Sequence, residues 1–288
     1  MTSPRTLLKA WRMTPKKQLG QNFLSDPSTA RMILDRAGIG PEDTVLEIGA
    51  GLGALTLPLA RRARKVIAVE KDREMIDLLR AELLAGGVPE GEGVEIRSGD
   101  ILEMDIGEIA EAAGGQLVVT GNLPYNISSP VVVKLVASRA HVRRAVLMFQ
   151  KEMARRLAAE PGTKAYGRLS VMLAYCAAVR TIARIPARSF YPKPQVDSEV
   201  LSLDFYRTPP VPADDEGFLF EVVKAAFGKR RKTLKNALSG SELRLDAAGA
   251  EASLIEAGIV PTRRAETLTV AELVRLSRTV RRHLADGG

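Results

Sequence analysis

The sequence predicts an α/β protein: a mainly parallel sheet with helices on both faces, followed by a smaller, all-helical domain. Three observations predict this. Between Thr44 and Phe205, short apolar runs rich in β-branched residues alternate with helical stretches, the pattern of a doubly wound sheet. The first of those runs leads directly into a glycine-rich turn, Gly49-Ala50-Gly51-Leu52-Gly53. Beyond Tyr206 the texture changes: Thr208-Pro209-Pro210-Val211-Pro212 reads as a linker, and only helical patterns follow it. The expected division is residues 1–207, with a basic segment over 1–20, and residues 208–288.

Taken in order, residues 1–20 carry Arg5, Lys9, Arg12, Lys16 and Lys17 with no acid among them, and such a short terminus is expected to order over a ligand or an RNA. Asp26-Pro27 supplies an N-cap and a first-turn proline for a helix bearing Met32, Ile33 and Leu34, which stops near Gly38. Val45 to Ile48 is a strand, and a helix runs from about Leu55 to Ala63. Val66 to Val69 is the next strand. The helix from Asp72 to Ala85 places Met75, Ile76, Leu79 and Leu83 at helical spacing. Val94 to Ile96 is a short strand, and Leu117 to Thr120 is the strand that ends at Asn122. Ser129-Pro130 opens a helix with Val132, Leu135 and Val136 inward. Val142 to Phe149 reads as a strand, Lys151 to Ala159 as a helix, and Leu169 to Val179 and Val200 to Phe205 as late strands. In the second domain Thr269 and Glu272 form a capping box, with Leu268 and Leu273 as its hydrophobic staple.

At 288 residues the chain is long enough for a full α/β domain and a smaller one. Lys and Arg total 42 against 34 acids, a net charge of +8, which favours a polyanionic partner over a merely solvated basic surface. The single cysteine, Cys176, lies in an apolar run and reads as a small buried residue. The two histidines, His141 and His283, are far apart and belong to no ligand motif, so no metal is expected. No apolar run approaches membrane-spanning length, and no long apolar core follows the basic N-terminus. The expectation is a cytoplasmic monomer with no membrane partner.

Glycines at 49, 51 and 53 let the backbone turn tightly and approach a ligand. They miss the dinucleotide spacing G-x-G-x-x-G and fit instead a nucleoside lying across the strand ends. Glu70 ends the second strand about twenty residues on, where an acid accepts from ribose hydroxyls, although alone it is also an ordinary loop carboxylate. Asp100, in Ser98-Gly99-Asp100-Ile101, is placed to accept from an adenine amino group; alone it is a turn Asp. Asn122-Leu123-Pro124-Tyr125 follows the fourth strand. By itself it is a common turn, since Asn and Pro favour turns. It also suits an extruded adenine. The exocyclic amine is a poor nucleophile, because its lone pair is delocalised into the ring. The Asn122 side-chain oxygen and the Leu123 carbonyl are placed to accept its hydrogens, and Tyr125 to stack on the ring. The motif contains no general base; the proton leaves to water after attack, so catalysis is expected to rest on positioning. Each of the four features ends a successive parallel strand, where ligands bind in open α/β sheets. A nucleoside-bearing methyl donor would lie over strands one to three, and the target base over the fourth.

These motifs resemble the KsgA/RsmA-type rRNA adenine N6-dimethyltransferases. The resemblance is carried by Lys17-Gln18-Leu19-Gly20-Gln21-Asn22-Phe23-Leu24, by Val45 to Gly53, Val69-Glu70 and Gly99-Asp100, and by Asn122 to Ser128. It continues through Phe190 to Ser198 and Ala226 to Leu234, spanning roughly residues 17 to 270. It implies a Rossmann-like, S-adenosylmethionine-dependent methyltransferase sheet that releases S-adenosylhomocysteine. Donor contacts are implied at Asn22, Leu24, Gly49, Glu70, Asp100 and Asn122, with Gln21, Gly51, Lys71 and Ile101 expected beside them. The implied reaction dimethylates two adjacent adenosines in the 3'-terminal hairpin loop of small-subunit (16S) rRNA, on an assembling subunit.

Two further groups fit that picture. Phe190 lies in a loop with Pro186, Pro192 and Pro194 and is expected as a second aromatic wall opposite Tyr125, stacking being worth roughly 1–3 kcal/mol per base. Lys229, Arg230, Arg231 and Lys232, with Lys224 and Lys235, read as a basic helix segment for rRNA phosphates. Three other readings share parts of the pattern: an Erm-type large-subunit rRNA methyltransferase, a non-catalytic RNA-binding assembly factor and, more distantly, a DNA adenine methyltransferase. The segment from Lys229 to Leu234 and the loop at Phe190-Tyr191-Pro192 favour the small-subunit enzyme over the first.

Overall fold

The computed structural model describes residues 2–91, 93–229 and 231–286. The chain forms two units, one of residues up to Ala154 with Ala178–Phe205, the other of Arg155–Ala177 with the chain from Tyr206 onward.

Among the described residues the first unit is built on nine strands: β1 (Phe23–Leu24), β2 (Thr44–Ile48), β3 (Lys65–Glu70), β4 (Val94–Ser98), β5 (Leu117–Asn122), β6 (Val142–Gln150), β7 (Ala177–Ile185), β8 (Phe190–Tyr191) and β9 (Ser198–Phe205). Seven make one sheet in the order β4-β3-β2-β5-β6-β9-β7, while β1 and β8 pair antiparallel by themselves. Strands β4, β3, β2, β5 and β6 are parallel neighbours, and β9 runs antiparallel to β6. Parallel strands are covered on both faces, and the sequence supplies continuous apolar runs: Val45, Leu46, Val66, Ile67, Val118 and Val119 are all buried. The order reverses at β2. The chain steps outward through β3 and β4, then returns to the other side of β2 with β5 and β6. A crevice opens at such a switch point, at the carboxyl ends of β2 and β5. The two strands close tightly there, since a Cβ on Gly121 would lie 2.5 Å from the Ile48 carbonyl oxygen.

The helices follow local chemistry. Asp26 accepts from Ser28 N to cap helix Pro27–Ala37, which ends at Gly38 in the left-handed region (φ 61°). Asp72 caps helix Arg73–Ala85 through Glu74 N. Its Met75, Ile76, Leu79 and Leu83 are buried as their spacing predicts, together with Leu78. Among the described residues no helix is long and apolar enough to cross a membrane.

The structure departs from the sequence reading in several places. The basic N-terminal segment holds a helix of its own: Pro4–Ala10 is capped by Ser3 and buries Leu7 and Leu8 against Phe23, Leu52, Met75 and Leu78. Two adjacent leucines supply an anchor that a charge count does not register. A short helix, Ile106–Ala112, was not anticipated; Asp105 caps it. Leu169 to Val179 is not a strand. Arg168–Cys176 is a helix, its first turn closed by Gly167 N donating to Ser170 Oγ, and β7 begins only at Ala177. Leu169, Val171, Met172, Leu173, Tyr175 and Cys176 are all buried, so the run is apolar on every side and shows no period to read.

That helix also moves the boundary expected between 207 and 208, because Arg155–Ala177 belongs to the helical unit. There Tyr166 meets Phe227 edge-on at 5.9 Å, Tyr175 meets Phe220 at 5.8 Å, and the Tyr175 hydroxyl accepts from Ala213 N. Further helices of this unit are Glu216–Gly228, Leu234–Leu238, Ala247–Glu256 and Val270–Asp286. The capping box is in place: Thr269 Oγ1 accepts from Glu272 N, Glu272 Oε2 accepts from Thr269 N, and Leu268 and Leu273 are fully buried.

Candidate active site

A cavity occupies the switch point, lined by residues from the ends of β2, β3 and β5, from the turn after β4, and from segment 19–24. The Gly turn after β2 folds back, with Gly49 N and Ala50 N both donating to Val69 O. Gly49 and Gly51 take φ values of 73° and 53°, which only glycine adopts without strain. Glu70, at the end of β3, ties this turn to the next helix. Its Oε2 accepts from Gly51 N at 2.8 Å and its Oε1 from Asp72 N at 2.9 Å. Burial raises its pKa, opposed by those backbone donors. Each carboxylate oxygen keeps acceptor capacity, so the group suits a diol.

Asp100 follows β4. Its Oδ2 accepts from Lys71 Nζ at 2.7 Å and its Oδ1 from Leu102 N at 2.9 Å, and the Lys71 ammonium draws its pKa below the usual value. Ile101 is buried and forms an apolar wall beside it.

Asn122 is the last residue of β5, and its Nδ2 donates to the Asn22 carbonyl at 2.7 Å. A carbonyl takes only a donor, so this bond fixes which way the amide points and leaves Oδ1 as a free-standing acceptor. Leu123 N donates to Met148 O, and the Pro124 carbonyl accepts from Ile127 N and Ser128 Oγ, which closes the turn. Leu123, Pro124 and Tyr125 all line the cavity, Tyr125 half-buried.

Segment 19–24 forms the facing wall. Gly20 (φ 61°) lies against Pro124, where an added Cβ would stand 3.2 Å from the proline Cβ. Asn22 Nδ2 donates to Gly20 O, and Leu24 is buried. Gln21 lines the cavity, yet both ends of its amide are engaged: Nε2 donates to Asp72 Oδ2, and Oε1 accepts from Lys16 N.

Phe190 does not line this cavity, contrary to the expectation of a second aromatic wall. It pairs with Leu24 across the β1–β8 ladder and lies in the apolar core with Leu24, Ile185 and Val200. Within the Pro-rich loop Phe190 and Tyr191 form a short strand, and that pairing turns the ring inward. Glu47 is a cavity residue that the sequence reading passed over. It is 2% exposed, burial pushes its pKa up to about 8, the Thr56 hydroxyl opposes this and Glu70 adds to it. Its Oε2 has no hydrogen-bond partner among the described residues. The signal was an acid inside the apolar strand Val45-Leu46-Glu47-Ile48, directly before the Gly turn.

The basic residues of the second unit are not one helix segment. Helix Glu216–Gly228 ends at its glycine and the next begins at Leu234, so Lys229, Arg231 and Lys232 lie on the connection. Arg230 lies outside the described residues. Lys224 pairs with Glu242 and Lys235 with Glu251, acids brought in from elsewhere in the chain. Lys229, Arg231 and Lys232 are exposed and form no ion pair with any described residue.

Residues 12–280 match the family model described as ribosomal RNA adenine dimethylase. The chain is 51% identical over 277 residues to the ribosomal RNA small subunit methyltransferase A of Desulforapulum autotrophicum, covering 96% of each protein. Among solved structures it resembles a dimethyladenosine transferase from Plasmodium falciparum, with a TM-score of 0.71 at 27% identity over 88% of this chain and 95% of that one. It also resembles the 23S rRNA methyltransferase ErmE, with a TM-score of 0.66 at 25% identity over 90% and 99% of the two chains.

Proposed function

The chain belongs to the ribosomal RNA adenine dimethylase family, and from that premise we propose that it is the small-subunit enzyme. It transfers methyl groups from S-adenosylmethionine to N6 of two adjacent adenosines in the 3'-terminal hairpin loop of 16S rRNA, giving N6,N6-dimethyladenosine during subunit assembly. The 51% identity to a small-subunit methyltransferase over nearly the whole chain, against 25% to the large-subunit enzyme ErmE, supports that choice.

The observation that carries the chemistry is the orientation of Asn122. Its Nδ2 is engaged by Asn22, so its Oδ1 is the atom offered to an incoming amine. When bound, the donor supplies an electrophilic methyl group on a sulfonium. The Gly49–Gly51 turn and Glu70 hold the donor's ribose side, and Asp100, with Lys71 and Ile101, its adenine. Asn22 and Leu24 close the donor site from segment 19–24. The unpartnered, buried Glu47 Oε2 in the same wall offers one more polar atom to a ligand with hydrogen-bonding groups, which suits this donor. Asn122 Oδ1 and the Leu123 carbonyl accept the adenine amine hydrogens and localise the nitrogen lone pair. Tyr125 stacks on the extruded base, and Pro124 stiffens the turn that carries both groups. The proton leaves to water after transfer, so these groups orient and polarise without acting as a base.

Lys229, Arg230, Arg231 and Lys232 contact rRNA phosphates, with Lys224 and Lys235 flanking them. The protein acts as a cytoplasmic monomer on the assembling small subunit. The test is transfer from labelled S-adenosylmethionine to small subunits lacking the hairpin methylations, to free large-subunit rRNA and to duplex DNA, followed by nucleoside mass spectrometry. Dimethyladenosine in the small-subunit hairpin alone is the expected result. Transfer to the large-subunit RNA alone, or none with RNA binding intact, overturns the assignment.

A further inference from the structure

An Asn amide can present either end to a substrate, and at Asn122 one contact decides which. The Asn22 carbonyl that takes its Nδ2 hydrogen comes from one hundred residues earlier in the chain. That carbonyl must itself be held, and β5 does nothing to hold it. The β1–β8 ladder fixes Phe23 and Leu24 on its far side, and a buried carboxylate fixes the residue before it. Asp72 is 5% exposed, and its Oδ2 accepts from Gln21 Nε2 at 2.9 Å while its Oδ1 accepts from Lys16 Nζ at 2.8 Å. The same lysine reaches Glu74 Oε2, and its backbone N–H donates to Gln21 Oε1 at 2.8 Å. Every polar atom of the Gln21 side chain is therefore spent on fixing the segment. Asp72 in turn caps helix Arg73–Ala85 and donates its own N–H to Glu70. On the far side, Gly20 packs against Pro124, so the segment is wedged between the base turn and the helix start.

We propose that Lys16, Gln21 and Asp72 form a latch that seats residues 19–24 and, through the Asn22 carbonyl, orients the Asn122 amide for methyl transfer. This rests on the role given to Asn122 above. Lys16 and Gln21 are positioning residues, acting through Asn122 and not on the reacting atoms. The latch also joins the two halves of the site, since the carboxylate that receives it is bonded through its backbone to Glu70, the acid on the donor side.

The test leaves Asp72 intact, because removing it would also uncap a helix. Lys16→Ala combined with Gln21→Ala loosens the start of the segment, up to the β1–β8 ladder, without touching the cap. The first readout needs no turnover. In ¹⁵N-labelled protein the Asn122 side-chain amide pair is identified by its disappearance in Asn122→Ala. In the double variant that pair should shift and exchange faster with water. The second readout is kinetic. The double variant should lose about 10- to 100-fold in kcat, the scale of an ångström-sized misplacement, with KM for the small subunit unchanged. Lys16→Arg, which can keep both ion pairs, should behave as the parent. In an Asn122→Ala background the latch variants should cause no further loss, since they act through that residue. An unchanged Asn122 amide signal in a folded double variant overturns the proposal, as does a kcat loss that adds in full to that of Asn122→Ala. If the wild-type protein transfers no methyl group to small subunits while the amide signal responds to the latch, the latch stands and the functional reading falls.

Discussion

Gly121→Ala tests whether the end of β5 positions the acceptor. Gly121 touches neither reactant in the proposed scheme, and its φ lies outside the left-handed region, so alanine is excluded only by space. The added Cβ would lie 2.5 Å from the Ile48 carbonyl oxygen and 3.3 Å from the Ile48 Cβ, both on the neighbouring strand β2. Ordinary contact begins at 3.4 Å, so the strands must part by about 0.9 Å, the difference between 3.4 and 2.5 Å. Neither obstacle is the flexible end of a side chain, so the backbone itself must give. Overpacking of this kind costs about 1–3 kcal/mol of stability. The next residue is Asn122, and a displacement approaching 1 Å at a reacting centre costs roughly a hundredfold in rate. The donor contacts lie mostly at β2, β3 and the turn after β4, so donor affinity should fall far less than turnover. The assay combines a thermal melt, donor binding by calorimetry, and single-turnover transfer to unmethylated small subunits. A variant that melts earlier yet transfers at the parental rate refutes the coupling between strand spacing and catalysis. One that melts with the parent refutes the steric argument itself.

Three further outcomes can be measured. Tyr125→Ala should lose roughly 1–3 kcal/mol of base stacking in transfer assays at nearly parental stability, whereas Phe190→Ala should lose about 3–5 kcal/mol of folding stability, since its ring is in the core; denaturant melts beside kinetics separate the two. Glu47→Gln should remove a pH dependence of folding. The folded state holds the Glu47 proton up to about pH 8 against an ordinary 4.5, so its contribution is complete below 4.5 and lost as pH rises through 8. Melts of the two proteins should therefore diverge over that window, by up to roughly 5 kcal/mol at about 1.36 kcal/mol per pH unit, and parallel curves would show that Glu47 ionises freely in the folded protein. Arg231→Ala with Lys232→Ala should weaken subunit binding and flatten its salt slope by up to about two phosphate contacts, while Lys224→Ala, whose ammonium is paired with Glu242, should change the slope less; equal effects would contradict the distinction drawn from their ion pairs.

The sheet was legible because parallel strands covered on both faces demand continuous apolar runs, and because ligand chemistry gathers at their carboxyl ends. Glu70, Asp100 and Asn122 fall at or just beyond the ends of β3, β4 and β5 in the order the sequence implies. What could not be read was tertiary. A run apolar on every side, Leu169 to Cys176, carries no period, so nothing local separated strand from helix. Phe190 in a proline-rich loop looks available for stacking until its ladder with Leu24 turns it inward. The charges around Lys229 look unopposed until folding brings Glu242 and Glu251 to Lys224 and Lys235. Lys16, read only as one cation among several in the first twenty residues, has its partner at Asp72.

The same distinction bears on how the reaction is catalysed. An adenine amine needs its lone pair drawn out of the ring, which calls for acceptors held in a fixed geometry. A strand end and a proline turn place the Leu123 carbonyl, because backbone direction follows from the fold. They do not decide the rotation of the Asn122 amide, whose two ends are nearly the same size and opposite in function. With Nδ2 towards the amine, two donors would face each other and the site would repel its substrate. The bond to Asn22 removes that state. It does so from a segment that packs on the donor side and is anchored by the residue that caps the helix after β3. The acceptor half of the site is therefore completed by parts belonging to the donor half. A variant that keeps the whole Asn-Leu-Pro-Tyr turn but releases segment 19–24 should keep the acceptor turn in place, loosen the facing wall of the cavity and transfer more slowly.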